Sequence, residues 1–226
     1  MKKAITILFS LISAIAFAQT KSTVKVIHKQ EKYFLQKNCS ELIKWEEVSV
    51  PDKAISNKIN TVIRRHVFSY KLSADEAKLF CDSSMEFTHY TEFKVVYGKN
   101  NLLSYNIAVD INYKDGPDGF YKYKKLNFNL QTGELIEFSD LIKASQLNRA
   151  DAIIFRKITQ SRFAFDDEDS ASLRKELQKK EFTITDKGLE IVFHFDNSPR
   201  SMLVTYKELQ PVVNMDGVLK YFYKKN

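Results

Sequence analysis

The sequence predicts an α+β fold, an antiparallel sheet meander with helices packed on one face. Three observations point there. From about Met85 to Leu130, apolar and polar residues alternate with a period of two. Before and after that stretch, apolar residues recur at helical spacing. The connections inside the alternating stretch are too short for parallel crossovers. Strands grouped with strands and helices with helices is the α+β pattern.

Val24 and Val26 alternate with polar residues and begin a strand; the run from Trp45 to Val50 is another. Pro51 suits the first turn of a helix in which Ile55, Ile59, Val62, Ile63 and His66 share a face. Ser73-Ala74-Asp75-Glu76 has capping-box form and opens a short helix through Phe80. Phe87, Phe93, Val95 and Tyr97 share a face of the first meander strand. Gly98-Lys99-Asn100-Asn101 is turn chemistry, and Leu103, Tyr105, Ile107, Val109 and Ile111 share a face of the next strand. Asp115-Gly116-Pro117-Asp118-Gly119 turns again, Leu126, Phe128 and Leu130 continue the alternation, and Gln131-Thr132-Gly133 ends it. A helix buries Leu147, Ile154 and Ile158, and a second contains Leu173 and Leu177. Asp166, Asp167, Glu168 and Asp169 read as a loop ahead of that second helix. Phe182 and Ile184 enter a hairpin at Thr185-Asp186-Lys187-Gly188, Ile191, Phe193 and Phe195 return, and Met202, Val204 and Tyr206 form a further strand.

The start has the form of a secretory signal. Met1-Lys2-Lys3 is a positive n-region, residues 4–15 are a short apolar run, and Ala16-Phe17-Ala18 is an Ala-x-Ala cleavage site. The apolar run falls short of the ~20 residues a spanning helix needs. Residues 1–18 are therefore expected to be removed, with export to the periplasm or the medium and no membrane span afterwards. The remainder reads as an N-terminal half, 19–97, and a C-terminal half, 98–226, in one compact unit.

The formal charge is +7, and +5 once Lys2 and Lys3 are gone. Lysines are dispersed among Asp and Glu, so the run Lys122-Tyr123-Lys124-Lys125 reads as a solvated strand face, and no nucleic-acid partner is expected. Two cysteines in an oxidising compartment, Cys39 and Cys81, suggest a disulfide.

No catalytic signature emerges. His28, His66, His89 and His194 lack zinc-ligand spacing. His66 and His89 fit hydrogen-bonded core or edge positions, and His194 a solvent-facing one. There is no Gly-x-Ser-x-Gly and no Gly-rich phosphate loop. The acidic run 166–169 lacks the spacing and internal Gly of a calcium loop and suits a helix N-terminus instead. No cofactor and no metal are expected. Phe120, Tyr121 and Tyr123 follow the 115–119 turn directly; rigid amphipathic rings beside a loop suit protein or sugar contacts, or plain packing.

The stretch Asn101-Leu102-Leu103-Ser104-Tyr105, then residues 126–142 (LNFNLQTGELIEFSDLI), and later 182–193 (FTITDKGLEIVF), resemble the RsiV-like extracytoplasmic domain family, the ectodomain of the anti-sigma-V factor. Residues 55–67, with Ile59-Asn60 inside, resemble the helix of the PdaC-type domain that often precedes it. The resemblance implies an α+β fold and a binding role, since in the anti-sigma factor the domain is a receptor for lysozyme. Where that family has a Gly-Gly-Ala-His-like turn, this chain has Lys114 to Phe120. The expected function is an exported, non-catalytic binding module for an envelope or external macromolecule, a lysozyme-like protein or cell-wall glycan. Its candidate surface is Asp115, Gly116, Pro117, Asp118, Gly119, Phe120, Tyr121 and Tyr123. The alternatives are a glycan-acting enzyme with unrecognised carboxylates, or a structural envelope protein. N-terminal mass spectrometry of the exported protein is expected to find Gln19 first; a product retaining Lys2-Lys3 would refute the cleavage.

Overall fold

In the computed structural model, residues 24–36, 39–71, 73, 75, 87–113, 120–161, 167–195 and 198–223 are described. The strands are β1 (Lys25–Gln36), β2 (Cys39–Ser49), β3 (Phe87–Lys99), β4 (Leu102–Tyr113), β5 (Phe120–Asn129), β6 (Phe182–Ile184), β7 (Gly188–Phe195) and β8 (Ser198–Thr205). The helices are α1 (Lys53–Ser69), α2 (Phe138–Leu141), α3 (Leu147–Thr159), α4 (Asp167–Leu177), α5 (Tyr206–Leu209) and α6 (Lys220–Tyr223). The fold is α+β, as the periodicities predict. β1 to β5 form one sheet in chain order, and β6 to β8 form a second. β3, β4 and β5 are the antiparallel meander, while β2 and β3 pair in parallel across the connection that holds α1.

Asp52 starts α1, its carboxylate accepting from Ala54 N at 2.8 Å and Ile55 N at 3.2 Å. Pro51 therefore lies just before the cap, not in the first turn. Ile59, Ile63 and Val67 are buried at four-residue spacing, while Ile55, Val62 and His66 sit at the flanks of that stripe. Two polar residues are buried with them. Asn60 accepts from Val48 N at 2.9 Å and donates to Val48 O at 2.8 Å, and Ser56 accepts from Val50 N at 2.9 Å. The Asn60 amide thus pairs the end of β2 as another strand would. Under α1 lies one core, with Ile43 and Trp45 of β2, Leu103, Tyr105 and Ile107 of β4, and Leu126 and Phe128 of β5.

β3 breaks the simple alternation. Its register against β4 shifts between Val95 and Tyr97. Val95 packs against the core under α1, but Tyr97 belongs to the second core on the opposite side. A one-residue bulge turns every later side chain over, so Val95 and Tyr97 do not share a face as the alternation predicts. The β3–β4 turn is made by Asn100 and Asn101, with φ of 54° and 61°. Two left-handed residues make the hairpin turn that matches strand twist, and Gly98 stays in the strand.

The second core joins β6–β8 to α3, α4 and the C-terminal segment through Ile154, Ile158, Leu173, Leu177, Ile191 and Val204, among others. β6 meets the first sheet edge-on. Glu181 O accepts from Val192 N, and Thr185 N donates to Gly188 O, each at 3.0 Å, so that side of β6 pairs with β7. Its other side offers Ile184 N and Phe182 O. Ser104 Oγ accepts from Ile184 N at 3.0 Å, and Asn127 Nδ2 donates to Phe182 O at 2.9 Å. Ser104 also donates to Asn127 Oδ1 at 2.6 Å, and both residues are almost completely buried. The face of one sheet thereby satisfies the backbone edge of the other.

Other boundaries shift from the sequence expectations. Asp167, Glu168 and Asp169 form the first turn of α4 rather than a loop. β8 stops at Thr205, which caps α5 in a box with Glu208, so Tyr206 is helical. Its ring stacks on Phe222 with centroids 4.1 Å apart, and its hydroxyl donates to Thr185 O at 2.7 Å. Gly188 is required by space, because a Cβ there would meet Val204 O at 2.1 Å. The helix read over 73–80 lies largely outside the described residues.

Asn127→Leu keeps the branching and heavy-atom count of the side chain but removes the amide's hydrogen bonds and leaves Phe182 O buried without its donor. Thermal or urea unfolding is expected to show a loss on the order of 3 kcal/mol, with Ser104→Ala costing less.

Candidate functional site

Strand register places the backbone of Phe120, Tyr121 and Tyr123 at one end of the five-stranded sheet. Cys39 lies beside Phe87, Phe87 opposite Tyr113, and Ile111 opposite Phe120. The end of β1, the start of β2, the start of β3, the end of β4 and the start of β5 therefore lie at that end. Phe120 starts β5, with Tyr121 opposite Asp110 and Tyr123 opposite Ala108. Asp115, Gly116, Pro117, Asp118 and Gly119 lie outside the described residues, as do the side chains of Phe120, Tyr121 and Tyr123. Cys81, the expected partner of Cys39, is outside them too. The opposite end of the sheet, at the Asn100–Asn101 turn, is committed to packing against the second core through Leu102 and Tyr97.

A second concavity was not legible in the sequence. α3 and α4 enclose a cleft of about 280 Å³, bordered by Asn148, Asp151, Phe155, Arg174, Gln178 and Lys180. The Arg174 guanidinium lies 3.7 Å over the Phe155 ring. Lys180 follows α4 with a φ of +52° and forms an ion pair with Asp151 across the cleft. These are ordinary surface residues until α3 and α4 pack side by side.

The fold is the one seen in DUF3298 family proteins. The chain is similar to a DUF3298 protein from Pseudomonas aeruginosa PAO1, with a TM-score of 0.59 and 13% identity over 85% of this chain and 95% of that one. It is similar to a second, from Bacteroides fragilis NCTC 9343, with a TM-score of 0.62 and 12% identity over 90% of this chain and 98% of that one. No family model matches the sequence, and no curated protein matches it. At such identities the likeness establishes the architecture and leaves the site to be argued from chemistry.

The titratable groups follow structural pairing. Glu47 is held below the usual carboxylate range by Arg64, whose Nε donates at 2.6 Å, against the opposing effect of burial, with Trp45 helping. Burial raises Glu176, but hydrogen bonds from Lys179 and His194 outweigh it and leave it lowered. Burial likewise raises Glu208, and Lys157 and Thr205 bring it below the ordinary value. His66 is pushed down by burial, then by Lys124 and Arg65, which favours its neutral form. His194 is not simply solvent-facing, since its Nδ1 lies 3.1 Å from Glu176. The side chain of His89 is outside the described part. Among the described residues no group of three His, Cys, Asp or Glu side chains is placed to hold a metal, and no helix is long and apolar enough to cross a membrane.

Glu47 supports a pH prediction. A carboxyl lowered in the folded state contributes stability that is present above its unfolded pKa and lost as pH falls through its folded one. Arg64→Met brings that pKa back up, so acid unfolding monitored by circular dichroism should begin at a higher pH. Near neutrality the variant should lose about 1–3 kcal/mol, since Glu47 stays buried without its charged donor.

Proposed function

We propose that the chain is an exported, non-catalytic binding module that recognises an envelope or external macromolecule through the end of the five-stranded sheet. The observation that carries this reading is the register. It brings the start of β5, with Phe120, Tyr121 and Tyr123, to the sheet end where the 115–119 connection must close the β4–β5 hairpin. Long strands make a rigid platform for such a loop, and functional loops are commonly presented on rigid scaffolds. The RsiV-like resemblance, with a PdaC-type helix at α1, supplies the partner class: a lysozyme-like protein first, a cell-wall glycan second. A Cys39–Cys81 bridge belongs to the same proposal. Cys39 is the first residue of β2 beside Phe87, and Cys81 precedes Phe87 by six residues, so the bridge would tie down the approach to the site.

The carboxylates support a binding role. Each described carboxylate with a shifted pKa is lowered by pairing, whereas a general acid for glycoside cleavage requires a raised one. One observation favours the glycan-acting alternative. Glu41 is fully buried on the face under α1, with Tyr33 and His89 as its register neighbours on either side. Loss of glycan cleavage in Glu41→Gln with an intact fold would decide for that alternative.

Tyr121→Ala and Tyr123→Ala should each weaken binding to lysozyme or to peptidoglycan fragments by at least ~10-fold, the scale of a truncated aromatic anchor. Titration calorimetry and melting temperature on the same variants separate the readings. Affinity kept while stability falls sharply would refute the binding role of these rings.

A further inference from the structure

Among the described residues, the outer sides of β5 and β6 are occupied and β8 is interrupted by a proline. On the outer side of β5, Asn127 O accepts from Ile136 N at 2.7 Å, Asn129 N donates to Glu134 O at 2.9 Å, and Glu181 accepts from Lys125 N at 2.9 Å. The outer side of β6 is taken by Ser104 and Asn127. β8 carries Pro199, which has no N–H to offer a further strand. β1 differs. It is 12 residues long, contains no proline, and is the first strand of the sheet with only β2 beside it among the described residues. Every residue from Lys25 to Lys32 is exposed, so no described residue covers either face of that half. Val26 and Ile27, 39% and 42% exposed, are two of the three exposed large aliphatic residues in the described part. A long edge strand with uncovered apolar residues is a template for another strand.

We propose that β1 pairs antiparallel with β1 of a second copy of this chain, with Gln30 on the two-fold axis, joining the two five-stranded sheets into one. The order of residues in β1 supports this occupant and this register. With Gln30 opposite itself, Lys29 lies opposite Glu31 of the partner subunit, and symmetry repeats that opposite-charge pair. Ile27 then lies opposite the partner's Tyr33, and Val26 opposite the partner's Phe34, so each exposed aliphatic residue meets an aromatic position. His28 faces the partner's Lys32, and Glu46, 3.2 Å from His28, places a carboxylate beside that contact. An isologous interface needs this self-complementarity, because each residue sees its partner twice. Opposite charges and aromatic–β-branched pairs directly across strands are the favourable cross-strand combinations. The paired stretch from Val26 to Phe34 spans roughly 30 Å of ladder.

Sedimentation equilibrium of the chain lacking residues 1–18, over roughly 1–200 μM, the span where micromolar interfaces populate, tests the proposal. The mass is expected to rise from one chain to two. Lys29→Glu and Glu31→Lys each place like charges opposite one another and should raise the dissociation constant at least ~10-fold. The double variant restores opposite charges and should recover dimerisation. Gln30→Cys should give a disulfide-linked dimer under mild oxidation, whereas Lys25→Cys, far from its own copy in this register, should not. A single-chain mass throughout with no Gln30→Cys cross-link overturns the proposal. So does cross-linking through Lys25→Cys in place of Gln30→Cys, or failure of the double charge swap to recover what each single swap loses.

Discussion

Where the two sheets meet, a small buried polar arrangement joins Ser104 and Asn127 on the face of the first to the outer backbone edge of β6 on the second, beside the apolar contacts of Tyr97 and Leu102. Buried N–H and C=O groups must be paired, and β6 is only three residues long, so it has little hydrophobic area with which to offset an unpaired edge. Asn127 supplies the donor for Phe182 O, Ser104 the acceptor for Ile184 N, and their mutual bond holds both side chains in position. The apolar cluster around β6–β8, which includes residues of α3, α4 and the Tyr206–Phe222 stack, packs beside that contact.

The same device appears at smaller scale elsewhere. Asn60 pairs the backbone of Val48 where β2 ends, and Glu46 accepts from Val95 N at 2.6 Å just past the last parallel pair of β2 and β3. In each case a side chain takes over where a strand ladder stops. Polar contacts of this kind are directional, so they define how elements dock, while the apolar residues around them supply most of the driving force. The bulge at Val95 and Tyr97 serves both cores at once, placing Val95 against the core under α1 and Tyr97 in the second core.

This division of labour also bears on function. The Asn100–Asn101 end of the sheet is used for internal packing, and the proposed binding surface is at the other end. β1 is the outer strand of the sheet among the described residues, and the proposed dimer pairs it with its own copy. A dimer joined through β1 would present two copies of the binding end, which raises the effective affinity for a repetitive surface such as an envelope polymer.

Periodicity alone determined a good deal here. The alternation in Leu103, Tyr105 and Ile107, the helical spacing of Ile59 and Ile63, and the Thr185–Gly188 turn identified strands, helices and the α+β class, because these patterns reflect local backbone geometry. The aromatic run at Phe120, Tyr121 and Tyr123 could be singled out as a candidate surface, but not its place in the fold. Only the tertiary structure decided that Tyr97 leaves the face of Val95, since a bulge adds one residue without any compositional mark. It also decided that β2 and β3 run in parallel, that Ser104 and Asn127 are interior residues, and that Asp151, Arg174 and Lys180 border a cleft. For Ser104 and Asn127 the physical reason is that a polar side chain reads as solvent-facing in sequence until a distant backbone group, brought near by packing, gives it a partner. The bulge and the parallel pairing are long-range choices of register that no local pattern records.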